Sequence, residues 1–204
     1  MATQLPEDTA KNITGHLEVI KVYSNGTKQV VHDDPNMIVK GMGIMLTSLF
    51  SGGGSQHLTD HQLRCIQLGV SGSTEASTTQ QLGLPLSSVE QYGVDSRLVL
   101  ADDFKQTVDG AEEDPAGPFI LIPQSKITMI NDNSIRFTLT IDEDACNGLY
   151  GKWAETTPIN EIGLFAYNIG GNVTPAPIMV AYKFFSNLTK ASDHSLVFRW
   201  TINF

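Results

Sequence analysis

From Leu196 to Phe204 the chain alternates. Leu196, Phe198, Trp200, Ile202 and Phe204 fall on one side, and Val197, Arg199, Thr201 and Asn203 on the other. A period of two predicts a β-strand with one face in the core. Ser134 to Ile141 repeats the pattern, setting Ile135, Phe137, Leu139 and Ile141 against Arg136, Thr138 and Thr140. Lys126 to Ile130 precedes it across Asn131-Asp132-Asn133, so the two runs read as a hairpin. Gly15 to Tyr23 and Lys28 to Val31 flank Ser24-Asn25-Gly26-Thr27. An Asn-Gly pair between two such runs predicts a second hairpin with a type I′ turn. Asp33-Asp34-Pro35-Asn36 is expected to stop its second strand. Further strands are expected at Leu63 to Val70, Val94 to Phe104, Ile159 to Tyr167 and Ile178 to Phe185.

One stretch keeps a different period. Met37, Ile38, Met42, Met45, Leu46, Leu49 and Phe50 recur at three- and four-residue steps, which predicts a helix over 37–50. Gly41 and Gly43 each weaken helix propensity by about 1 kcal/mol relative to Ala, so packing against a sheet must hold it. Ser51-Gly52-Gly53-Gly54-Ser55 ends it. Residues 71–92 read as a long loop, and the acidic 109–118 as an exposed one. Residues 1–14 are polar and aperiodic, a flexible N-terminal arm ahead of a single β-rich domain, residues 15–204. The expected fold is mainly β: an antiparallel sandwich or distorted barrel of eight or nine strands with one helix. Phe137, Leu139, Ile162, Leu164, Phe198, Trp200 and Ile202 should be buried together between two sheets.

Composition narrows the function classes. The 204 residues are 41% hydrophobic, enough for a core. No apolar run approaches the roughly 20 residues of a membrane-spanning helix. The first residues have neither the basic nor the apolar region of a secretory signal, so the sequons at Asn12, Asn25, Asn172 and Asn187 read as chance. A net charge of −9 with no basic cluster opposes nucleic-acid binding. Charged residues are only 17%, against roughly 25% in ordinary soluble domains. The 54 Thr, Ser, Asn and Gln residues must therefore supply the polar surface. Such neutral surfaces suit β-rich proteins packed against neighbours.

Chemistry-bearing motifs are weak. His57 and His61 have the i, i+4 spacing of a zinc clamp, but Leu58 stands where a metalloprotease needs Glu. Asp142 to Gly148 resembles a calcium loop, with Cys146 in place of a ligand and Gly148 one position late. Asp33/Asp34 and Asp102/Asp103 are sequence neighbours that a strand would point apart. Cys65 reads as a buried hydrophobe, and Cys65 with Cys146 makes no disulfide framework. The Gly52–Gly54 run lacks the phosphate-loop pattern. No residue is assigned a catalytic, cofactor-binding or metal-ligating role, no cofactor is expected, and the chain reads as non-enzymatic. Tyr150 and Trp153 are the residues on which a carbohydrate-binding reading would rest.

Four ordered segments carry a resemblance. They are Asn36-Met37-Ile38-Val39-Lys40-Gly41 before a helix, Cys65 to Gly69 as the next strand, a loose "T-x-L" element at Thr78 to Leu82, and Ile159-Asn160-Glu161-Ile162-Gly163-Leu164-Phe165. After the last come Tyr182-Lys183-Phe184-Phe185, Lys190 and the closing strand Leu196 to Ile202. The set resembles tail-collar and tail-fibre attachment modules of tailed bacteriophages over residues 15–204. The resemblance implies a virion structural protein assembled in the host cytoplasm, with itself and other virion proteins as partners. No fibre shaft or receptor-binding tip is expected, which favours a compact attachment, collar, neck or decoration subunit; the leading expectation is a tail-, neck- or baseplate-associated assembly or fibre-attachment subunit. The alternative is a capsid decoration protein. In I-N-E-I-G-L-F, Ile162, Leu164 and Ala166 should share a face. Gly163 should admit a close backbone, and Glu161, at the strand start, should accept hydrogen bonds from a loop.

Overall fold

The computed structural model describes residues 13–51, 62–69, 106–108, 111–113, 120–144, 156–166 and 178–204. It is a mainly antiparallel β fold with one α-helix, its principal sheet curled into a half-barrel. The strands are β1 (Thr14–Tyr23), β2 (Lys28–Ile38), β3 (Leu63–Gly69), β4 (Gln106–Val108), β5 (Ala111–Glu113), β6 (Ile120–Leu121), β7 (Ile127–Asn131), β8 (Ser134–Ile141), β9 (Thr156–Ala166), β10 (Ile178–Ala191) and β11 (His194–Asn203). Helix α1 is Lys40–Ser51. Among the described residues, strands β4 and β5 pair only with each other. The other nine form one sheet in the order β6-β3-β9-β10-β2-β1-β11-β8-β7.

The expected core is present but does not lie between two separate sheets. One sheet curls, and its two halves are joined where β2 meets β10 through Ile38↔Ala181 and Met37↔Tyr182. Trp200, Phe198, Ile202, Phe137, Leu139, Ile162 and Leu164 lie in one buried cluster with Leu17 and Val19 of β1 and Met42 and Met45 of α1. Strand β11 is buried at every second residue from His194 to Ile202. Its other face carries a cross-strand ion pair, Arg199 to Glu18 at 3.0 Å.

Several boundaries differ from expectation. Strand β2 runs through Asp33-Asp34-Pro35 instead of stopping there, and takes up Met37 and Ile38, so the helix begins at Lys40 rather than Met37. Pro35 pairs with His16 on one side. Strand β10 joins β2 only at its last two residues, so the missing Pro N–H leaves no ladder bond unmade. The β1–β2 turn closes through Gly26 N to Tyr23 O at 2.8 Å, with Gly26 at φ 82°. Ser24 and Asn25 are its central residues, and Gly26 supplies the left-handed exit, the three-residue hairpin loop in place of type I′. Strand β10 continues past Phe185 to Ala191 and turns through Ser192 and Asp193 into β11.

The expected arm, residues 1–14, overlaps the fold at its end. Ile13 packs against the core and Thr14 pairs with Asn203, whereas residues 1–12 lie outside the described residues. The strand expected over 94–104 and the loop over 71–92 also lie outside them, and Ala111 to Glu113 of the acidic segment form β5. Gly41 explains how α1 lies on β10. A Cβ there would overlap the Met179 carbonyl oxygen and approach Ile178 Cγ2 to 2.8 Å.

Candidate functional site

The strand order leaves β6 and β7 at the two ends of the curled sheet. Only residues 122–126 connect them, ending in a 3-10 turn at Gln124–Lys126. Ile122 N donates to Arg64 O at 2.7 Å, which ties this connection to β3. Past that tether, toward the rim where β3 starts at Leu63 and β7 finishes at Asn131, no described strand bridges β6 and β7. A cavity of about 380 Å3 occupies the seam, lined by Leu63, Arg64, Ile127, Met129, Ile135 and Phe204 among others.

Among the described residues β7 is the longer of the two end strands. Its sequence, ITMIN, contains no charge and no proline, the two features that usually blunt an edge. Ile127 and Met129 take the side facing the barrel interior, opposite Phe137 and Ile135 in register. Met129 is nevertheless 73% exposed. Ile130 and Phe204 nearby are 45% and 46% exposed. Lys126 and Asp132, both exposed, flank the strand. Arg64 Nε is buried without an acceptor among the described residues. The arrangement is suited to taking up an apolar extended segment that brings carbonyl groups.

A second constellation lies on the opposite face of β3, β9 and β10. Glu161 sits mid-strand, since β9 begins at Thr156, and is wholly buried. Tyr182 Oη donates to Glu161 Oε2 at 3.2 Å. Gln67 and Gly69 of β3 lie on the same face, with Gly69 directly across from Glu161. Ile162, Leu164 and Ala166 share the core face as expected. Gly163 makes room for side chains rather than for backbone: an added Cβ would lie 2.6 Å from the Phe165 ring and 3.0 Å from Met179 Sδ. Phe165, Cys65, Met179, Tyr182 and Val39 form a second buried cluster. These contacts fasten β3, β9 and β10 together.

Burial pushes the Cys65 thiol up to about 12, so it is no nucleophile near neutrality. His32 packs edge-on against Phe185 at 4.9 Å. Burial first, and then the Lys183 ammonium, hold its pKa below the ordinary value, with Asp34 and Asp33 opposing. Asp33 lies 3.2 Å from His16, and Asp34 3.5 Å from His32, so the neighbouring carboxylates do point apart. Among the described residues no three His, Cys, Asp or Glu side chains gather to hold a metal ion. None of their helices is long and apolar enough to cross a membrane.

Of the calcium-like stretch, Asp142 to Asp144 are described. There the buried Lys190 ammonium donates to Glu143 O at 3.1 Å and Ala191 O at 2.7 Å, fixing the turn after β8 to the end of β10. His57, His61, the Gly52–Gly54 run, Asp102, Asp103, Cys146, Tyr150, Trp153 and the Thr78 to Leu82 element lie outside the described residues. The seam was not anticipated. Its sequence trace is that Met129 and Ile130 are both apolar, where a strand with one wet face alternates. Comparison of the chain with protein-family models, with curated proteins and with solved structures gives no match.

Proposed function

We propose that the protein is a non-enzymatic structural subunit of a tailed-phage virion, assembling with copies of itself in the tail, neck, collar or baseplate region. The observation that carries this reading is the open seam with the uncharged, solvent-exposed edge strand β7 beside it. A protein that worked as an isolated monomer would be expected to protect such an edge. The motifs that resemble tail-collar and tail-fibre modules support it from another side. Within the described residues they lie on β2, β3, β9, β10 and β11, strands of the one large sheet.

Quantitative mass spectrometry of purified virions tests the reading. A few to a few dozen copies per particle are expected for a tail, neck or baseplate subunit. Hundreds of copies would make it a capsid decoration protein instead. Absence from particles would overturn the structural reading altogether.

A further inference from the structure

We propose that the junction between β2 and β10 is an acid-released latch: protonation of His32 parts the two halves of the large sheet there. The inference is independent of the virion reading and concerns a conformational step built into the fold.

Backbone pairing across the junction is short. Only Ile38↔Ala181 and Met37↔Tyr182 pair, although β2 extends back to Lys28 and β10 on to Ala191. Beside these pairs Val39 N donates to Val180 O at 3.1 Å. In the other direction side chains take over. Lys183 Nζ donates to Pro35 O at 2.8 Å and lies 3.9 Å from Asp34 Oδ2. His32 stands edge-on against Phe185, and its Nδ1 is 3.5 Å from the same Asp34 oxygen. One carboxylate oxygen thus faces both the ammonium and the imidazole.

The register puts these groups on the core side. His32 lies opposite Val19, Asp34 opposite Leu17 and Lys183 opposite Ile162, and those three partners belong to the main core cluster. Paired residues share a face of the sheet. The His32 and Lys183 side chains are mostly buried there, while Asp34 is largely exposed. Among the described residues, the charged and titratable groups facing His32 are Lys183 from β10, Asp34 and Asp33 of its own strand, and His16 from β1. Asp33 is engaged by His16 at 3.2 Å.

With His32 neutral, Lys183 and Asp34 balance. With His32 protonated, two largely buried cations share one carboxylate, and burial opposes the new charge. The imidazolium is relieved when the ring leaves Phe185 and Lys183 for solvent. That separation breaks side-chain contacts and two strand pairs, while the ladders of β2 with β1 and of β10 with β9 stay closed. Its cost is therefore below that of unfolding.

Hydrogen exchange read by NMR on the full chain tests this. The amide of Val39 should exchange through a partial opening that is insensitive to urea well below the unfolding transition. Phe198 to Ile202 in β11 should instead follow global unfolding. Corrected for intrinsic rates, the Val39 opening constant should rise by up to about tenfold per pH unit below 6.5, the limit for uptake of one proton. In His32→Phe that rise should vanish. Lys183→Gln should move the His32 titration midpoint up toward 6.5 and reduce the rise. Exchange of Val39 only together with β11, or an opening constant indifferent to pH, would overturn the latch. So would a rise that persists in His32→Phe, or a His32 midpoint that Lys183→Gln leaves unmoved.

Discussion

Gly69 and Glu161 are cross-strand partners, and the glycine exists there because the glutamate does. A Cβ on Gly69 would overlap Glu161 Oε1 and come within 2.6 Å of its Cγ. Glu161 is wholly buried and accepts from Tyr182, so it has little freedom to retreat. Gly69→Ala should therefore destabilise the fold by about 1–3 kcal/mol, the usual cost of overpacking a core. In a thermal melt that is a fall of several degrees, at about 2–4 °C per kcal/mol for a chain of this size. Combined with Glu161→Ala, the two losses should sum to less than the separate values. Additive losses would place the strain elsewhere.

Trp200 is wholly buried, with Phe137 and Leu17 as its cross-strand neighbours. Trp200→Ala should cost about 3–5 kcal/mol. Its indole N–H has no acceptor among the described residues. Trp200→Phe removes that unsatisfied donor and leaves a smaller void, so it should cost less than half as much. Chemical denaturation of both variants measures the ratio.

His32 makes stability depend on pH. Its folded-state pKa is below the 6.5 of the unfolded chain, so between the two values the unfolded state binds more protons. Stability from this group is present above about pH 6.5 and is lost as pH falls through the folded pKa. His32→Phe should flatten the dependence in that window. The imidazole resonances should titrate below pH 6.5, and a midpoint above it would refute the assignment.

Cys65 should be silent in the native protein. With its thiol pushed up to about 12 and its side chain buried, it should not react with a thiol reagent at pH 8 until denaturant is added. Peptide mapping after labelling reads this for Cys65 individually.

Residues 1–12 should be dispensable for folding, because the described pairing begins at Thr14. Deleting them should leave the melting temperature unchanged. Deleting through Thr14 should destabilise, since Ile13 packs on the core and Thr14 pairs with Asn203.

The strands with one wet face were the legible part of the fold. Leu196 to Ile202 and Ser134 to Ile141 alternate because one side meets solvent, and both form where the pattern puts them. Met37 and Ile38 mislead because two adjacent apolar residues satisfy either period. Their pairing with β10, a contact far along the chain, decides for strand. Asp33-Asp34-Pro35 carries a local stop signal that has no force at a position where the proline lacks a second neighbour. Strand β10 hides its length because Ser186 follows Phe185 like the opening of a loop. The seam was not legible at all. It depends on which strands end the sheet, and strand order is fixed by long-range contacts that leave no mark on any one segment. Only Met129 beside Ile130 gave a trace of it.

The pairing of β1 with β11 joins the first and last described strands, with Thr14 and Asn203 separated by 189 positions. On a ribosome adding about 5–20 residues per second, β1 waits roughly 10–40 s for its partner to be made. Until then the β1–β2 hairpin has one flank bare, with Leu17 and Val19 uncovered and the backbone groups meant for β11 exposed. The exposed hairpin is prone to mispairing during that interval. Slower translation of its final codons would lengthen the exposure, and a chaperone that shields a two-stranded hairpin would raise the yield of native protein.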